Sequence, residues 1–212
     1  MTFRLSLLLA LLLPLAAVAA PSAAPVEGTD YEVIEGGAPY EPVAGRIEVV
    51  EVFGYTCSHC AHFEPAVQAW KAKLPKDVKF TPIAAPFGGD WEPYAKAYFT
   101  AKALGIAERS HEAVFRALHE AGELPRNPTD GELAGYYARF GVQPARFLAT
   151  FNGPGVEAQM ARALGFVQRS RVEGTPTMIV AGKYRVMAGP AQALRVVDHL
   201  VARERAAAKA RR

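Results

Sequence analysis

The sequence predicts an α/β fold in which a sheet is interrupted by an inserted all-helical domain, and three observations carry that prediction. An apolar β-branched run, Ile47 to Phe53, feeds an amphipathic helix and then a second strand-like run in "DVKFTPIAAP". From Trp91 to about Ser170 no strand pattern occurs. The sheet pattern returns in "TPTMIVAGKYRV". The expected division is a cleaved signal peptide at 1–19, a leader with a first short strand at 20–45, the first part of the sheet domain at 46–88, the helical insertion at 89–170, and the second part of the sheet domain at 171–212.

The elements follow in order. Arg4, the apolar run Leu5 to Ala20 and the small residues after it have the layout of a secretory signal. Sixteen apolar residues interrupted by Pro14 fall short of the ~20 that cross a bilayer, so cleavage after Ala19 is expected. No cysteine sits at the cut, which excludes lipid attachment there. "TDYEVI" is a short candidate strand, and "RIEVVEVFGY" a buried central one. In "TCSHCAHFEPAVQAWKAKL" the apolar positions Phe63, Val67, Trp70 and Leu74 share one helical face, with Cys57 at the strand–helix junction and Pro65 placed to kink the second turn. The segments "EPYAKAYFTAKAL", "ERSHEAVFRALHE", "DGELAGYYARF" and "PARFLATF" are short helices punctuated by Gly, Pro and Asn. Ala181-Gly182 turns an antiparallel hairpin, and Gly189-Pro190 starts a terminal helix.

With 212 residues, half of them apolar, the chain can build a real core without crosslinks. The formal charge is +3, and removing residues 1–19 takes away only Arg4, so no nucleic-acid partner is implied. The basic end "ARERAAAKARR" complements the dipole of a helix C-terminus.

The chemistry concentrates in "FGYTCSHCAHFEP", which holds both cysteines. A Cys57–Cys60 bridge closes too short a loop to restrain the unfolded chain as a long-range staple does. Haem attachment needs a histidine directly after Cys60, where Ala61 stands. A zinc or copper carrier using the two sulfurs and His59 is a binding alternative, although His59 and His62 do not converge easily with both sulfurs on a helix. Redox chemistry fits better. At a helix start the Cys57 sulfur meets unpaired backbone N–H groups and the positive dipole end, together worth up to ~2 kcal/mol, or about one and a half pKa units, in favour of the thiolate. The thiolate attacks, and Cys60, one turn on, resolves the mixed disulfide. His59 can add positive charge or a hydrogen bond to the sulfur, whereas His62 is a surface or packing residue. Glu51, six residues before Cys57 on an apolar strand, can relay a proton to or from Cys60. Thr175-Pro176 precedes a strand; with a cis bond its loop can lie against the cysteines and present the Thr175 backbone to an extended substrate.

Together "VVEVFGYTCSHCAHFEP", the "PFGGDWEPY" turn, "GTPTMIVAGKYRV" and the helix ending "ERAAAK" resemble the DsbA family of periplasmic thiol oxidases, over nearly all of the mature chain. The resemblance implies a thioredoxin fold with an inserted helical domain, Cys57 as nucleophile, Cys60 as its partner and Pro176 in cis. It also implies no cofactor or metal beyond the cysteine pair. The clients would be reduced, unfolded exported proteins in the periplasm, and the reoxidant a membrane quinone-linked partner of the DsbB type. Two positions depart from the family pattern: Ser58-His59 stands where Pro-His is familiar, and Thr175 where Val is frequent. A threonine there also looks like disulfide isomerases, which makes an isomerase or reductase of the same fold the alternative. Isomerases of that kind carry an N-terminal dimerisation domain, for which the roughly 25 residues before the first strand leave no room, so a monomer is expected.

Overall fold

The computed structural model describes residues 23–210, so the expected signal peptide lies outside the described residues. Five strands form one sheet in the order β1-β5-β4-β2-β3, with β1 Tyr31–Val33, β2 Ile47–Phe53, β3 Val78–Ala84, β4 Thr177–Val180 and β5 Tyr184–Val186. The β2–β3 pair is parallel and spans α1, Ser58–Lys71; every other pairing is antiparallel. The sequence IEVVEVF makes β2 central because its residues from Glu48 onward are all buried, as a strand covered on both faces requires.

Alternation along the strands divides the sheet's contacts between two cores. Val49, Met178 and Val180 meet Phe63 and Val67 of α1 and Val196, Val197 and Leu200 of the terminal helix α7, Pro190–Ala210. Val50, Val52, Ile83 and Ile179 meet the other layer. That layer is the insert: α2 Glu92–Ala103, α3 Ala107–His119, α4 Asp130–Tyr137, α5 Pro144–Phe151 and α6 Pro154–Arg169, with no strand between β3 and β4. Proline opens α5 and α6, while α4 begins with a complete capping box between Thr129 and Glu132. The fold is the expected thioredoxin type with a helical insert.

One adjustment concerns α1: it ends at Lys71 rather than reaching Leu74, with Pro65 inside it. The ring at Pro65 removes one donor, but Pro65 is exposed while Phe63, Glu64 and Val67 around it are buried, so packing keeps the element together.

Candidate active site at the strand–helix junction

After Phe53 the chain leaves β2 through Gly54, Tyr55 and Thr56, and the Cys57 amide closes this turn on the Gly54 carbonyl at 3.1 Å. Gly54 is needed because the Trp91 indole lies against it: a Cβ there would sit 2.0 Å from a ring carbon. Three side chains of the insert hold the same turn. His119 Nε2 donates to the Tyr55 carbonyl at 2.7 Å, Arg126 donates to the Thr56 carbonyl at 3.2 Å, and His111 Nδ1 lies 2.9 Å from the Tyr55 hydroxyl.

Cys57 is the N-cap of α1, in extended conformation at φ −84°, and its Sγ accepts the Cys60 N–H at 3.3 Å. Both cysteines are free thiols, Cys57 9 % exposed and Cys60 1 %. The thiol of Cys60 is the largest influence on Cys57 and, against the opposing effect of burial, is joined by the Thr175 hydroxyl and the backbone N–H groups of Cys60 and His59. The Cys57 pKa falls from 9.0 to about 5. Burial, followed by the hydrogen bond to Cys57, pushes Cys60 far the other way. The pair is therefore asymmetric, one sulfur ready to be an anion and the other held as a thiol.

Thr175-Pro176 is a cis peptide bond, and the Cys57 thiol donates to the Thr175 carbonyl at 3.5 Å. The buried Thr175 hydroxyl, a hydrogen-bonding group beside both sulfurs, lowers both thiols although it closes no full hydrogen bond among the described residues. Ser58 and His59, at the first two helical positions, are exposed. The His59 ring makes no hydrogen bond to the sulfur among the described residues; its backbone N–H acts there instead, because the second residue of a helix points its side chain outward while its amide faces the cap. His62 is exposed. The sulfur opens onto a cleft of about 390 Å³ bordered by Phe87, Trp91, Arg126, Glu173 and Thr175.

Glu51 is 1 % exposed, and one of its carboxyl oxygens has no hydrogen-bond partner. Burial, then the charges of Glu64 and Cys57, raise its pKa to about 8. Glu64, His111, His119 and Arg126 belong to the site without standing in the motif from Cys57 to Cys60. Glu64 was detectable as a charge between Phe63 and Val67 on an apolar stripe; the other three depend on how the insert docks.

A reactive dithiol at a helix N-cap, facing a cis-proline loop on a thioredoxin-type sheet, defines a thiol:disulfide oxidoreductase. Residues 48–202 match the family model described as a DSBA-like thioredoxin domain. The thiol:disulfide interchange protein DsbA of Pseudomonas aeruginosa is 39 % identical over 186 residues, covering 86 % of this chain and 87 % of that protein. Its counterpart in Pseudomonas syringae is 39 % identical over 198 residues, with 91 % of each covered. Among solved structures, the oxidoreductase DsbA from Xylella fastidiosa superposes with a TM-score of 0.85 at 52 % identity, covering 87 % of this chain and all of the other. The chain belongs to the DsbA family of thiol:disulfide interchange proteins, disulfide-forming enzymes whose redox group is a cysteine pair rather than a cofactor.

Proposed function

We propose that Cys57 is the nucleophilic sulfur of this disulfide donor, Cys60 its resolving partner, and Glu51 the group that supplies Cys60 with a proton. The observation that carries this reading is the asymmetry of the pair, with Cys57 lowered to about 5 by Cys60, Thr175 and the helix-start amides. In the oxidised enzyme a client thiolate attacks Cys57 Sγ, the Cys57–Cys60 bond breaks, and Cys60 leaves as a thiolate. Glu51 in its acid form protonates that thiolate. The second client thiol loses its proton to solvent, attacks the client sulfur of the mixed disulfide and expels Cys57 as a thiolate. The client is oxidised by two electrons and the enzyme is left reduced. Whatever stabilises the Cys57 anion stabilises the reduced enzyme, so the disulfide oxidises by ~30 mV more for each ~1.4 kcal/mol. A low thiol pKa is an established trait of DsbA proteins.

The Thr175 backbone beside cis-Pro176 pairs with the extended client, in the manner of an added strand. Ser58 and His59 border the client's approach to the sulfur. The clients are reduced, unfolded exported proteins met in the periplasm, and a DsbB-type membrane partner linked to quinone restores the disulfide. The enzyme works as a monomer, delivered by a cleaved signal at residues 1–19.

Oxidation of a reduced dithiol peptide tests the assignment. Cys57→Ser is expected to abolish it, and Cys60→Ala to accumulate mixed disulfides through Cys57. Efficient reshuffling of scrambled disulfides together with poor peptide oxidation would instead establish an isomerase.

A further inference from the structure

His111 reaches from α3 of the insert into the polar layer below the cysteine helix. Its Nε2 lies 3.5 Å from Glu64 Oε2 and its Nδ1 2.9 Å from the Tyr55 hydroxyl, and Phe53 and Phe115 meet the ring edge-on. The His111 and Glu64 side chains are 9 % and 6 % exposed. A carboxylate only accepts, so Nε2 carries the proton facing Glu64, and in the neutral ring Nδ1 accepts from Tyr55. The second Glu64 oxygen accepts from Gln68 at 2.6 Å. Burial favours the neutral form of Glu64, but the His111 hydrogen bond, Gln68 and the nearby Lys71 outweigh it and hold the group below the ordinary carboxylate range.

That anion matters because Glu51 shares the face of β2 on which Val49 packs against Phe63 and Val67 of α1, and the Glu64 charge acts on it. Beyond burial, the groups acting on Glu51 are Glu64 from α1 and Cys57 from the helix cap, while the Tyr98 hydroxyl on α2 donates to the Pro82 carbonyl at 2.8 Å. On the far side of His111 a cleft of about 310 Å³ carries Lys71, Lys79 and Lys102, each paired with Glu41 or Glu108. Lys79 and Lys102 share Glu41 and Lys71 pairs with Glu108, so Lys71, which also acts on Glu64, is partly neutralised, and Glu64 is the carboxylate acting on Glu51.

We propose that His111 is a positioning residue for the proton step at the cysteine pair: it holds Glu64 as an anion on the α1 side of Glu51, and the anion adds to burial in keeping Glu51 in its acid form. This rests on the assignment of Glu51 as proton donor. Without the ring N–H, Glu64 takes up a proton, and Glu51, relieved of a negative neighbour, releases its own at lower pH.

Carboxyl-carbon NMR of the reduced full chain, labelled at its glutamates, reads this directly, with Glu51→Gln identifying the resonance. The Glu51 midpoint, about pH 8 in the unmodified protein, is expected to fall by about one pH unit or more in His111→Phe, the size of a charge coupling through a partly screened interior. His111→Gln, which keeps an N–H toward Glu64, is expected to restore it, and Glu64→Gln to reproduce the fall. His111→Asn, too short to reach Glu64, replaces the phenylalanine variant if that does not fold. A Glu51 midpoint that shifts in Glu64→Gln but stays in place when the ring is removed overturns the role of His111. The lack of any carboxyl titrating near pH 8 in the unmodified protein overturns the Glu51 assignment instead.

Discussion

Glu51 is a carboxylate buried under α1 at a cost to the fold, and its sign with pH is definite. Its folded pKa, about 8, lies above the ordinary 4.5, so the folded state binds the proton more tightly than the unfolded chain does. The stability this contributes is fully present below pH 4.5 and is lost as pH rises through about 8. Glu51→Gln removes that loss. In the reduced protein it is expected to be more stable than the parent by on the order of 3 kcal/mol at neutral pH, with the advantage shrinking toward pH 4.5. Urea unfolding at several pH values measures the gap, and a gap that does not vary with pH contradicts a titrating Glu51. The same substitution is expected to slow peptide oxidation, because the departing Cys60 thiolate loses its proton donor. A single side chain thus trades stability for proton transfer.

The elements that position this chemistry were largely legible in the chain because each has a local cause. Alternating and continuous apolar runs marked β2, β3 and the β4–β5 hairpin, and helical spacing of Phe63 and Val67 marked α1. Thr129 and Glu132 form a capping box whose sequence signature is local as well. Thr129→Ala is expected to destabilise the fold by about 1 kcal/mol in thermal unfolding while leaving the Cys57 pKa in place, since α4 does not touch the sulfurs. Illegible were the contacts that cross between elements. The Tyr55–His111 bond spans 56 residues, and nothing in the periodicity of α3 tells a histidine bound for the active-site turn from one packed in the core. The His59 expectation was drawn from its place between the cysteines, which fixes its amide but not its ring. Gly54 belongs to the same class, since the need for glycine comes from Trp91 on a distant turn. Gly54→Ala is expected to displace the indole or the cysteine turn, lowering the melting temperature and moving the thiolate absorbance titration of Cys57. Destabilisation without any change in that titration would mean that Trp91 alone had moved.

At the scale of the molecule, the sheet domain supplies the sulfurs and the insert holds the turn before them through His111, His119 and Arg126. Redox state and folding stability are therefore linked through one proton. The oxidised protein has no thiol to titrate, so subtracting its stability from that of the reduced protein leaves the cysteines together with their coupling to Glu51. For Cys57 the folded pKa, about 5, is depressed below the ordinary 9.0. Its contribution to the reduced form is complete above pH 9, declines as the medium becomes more acidic, and is gone once the pH has fallen through about 5. Cys60, pushed upward, titrates only beyond this window. The stability difference between reduced and oxidised protein is expected to rise steadily from pH 5 to pH 9, with no fold-wide change to account for it. Denaturant unfolding of both forms across that range measures the difference. The thermodynamic cycle then requires the potential of the pair to become more oxidising, relative to an unfolded dithiol with ordinary thiols, over the same interval. A flat difference would mean that the folded chain gives the Cys57 sulfur no preference for the anion, and the disulfide would then have no more drive to leave this protein than to leave an unfolded one.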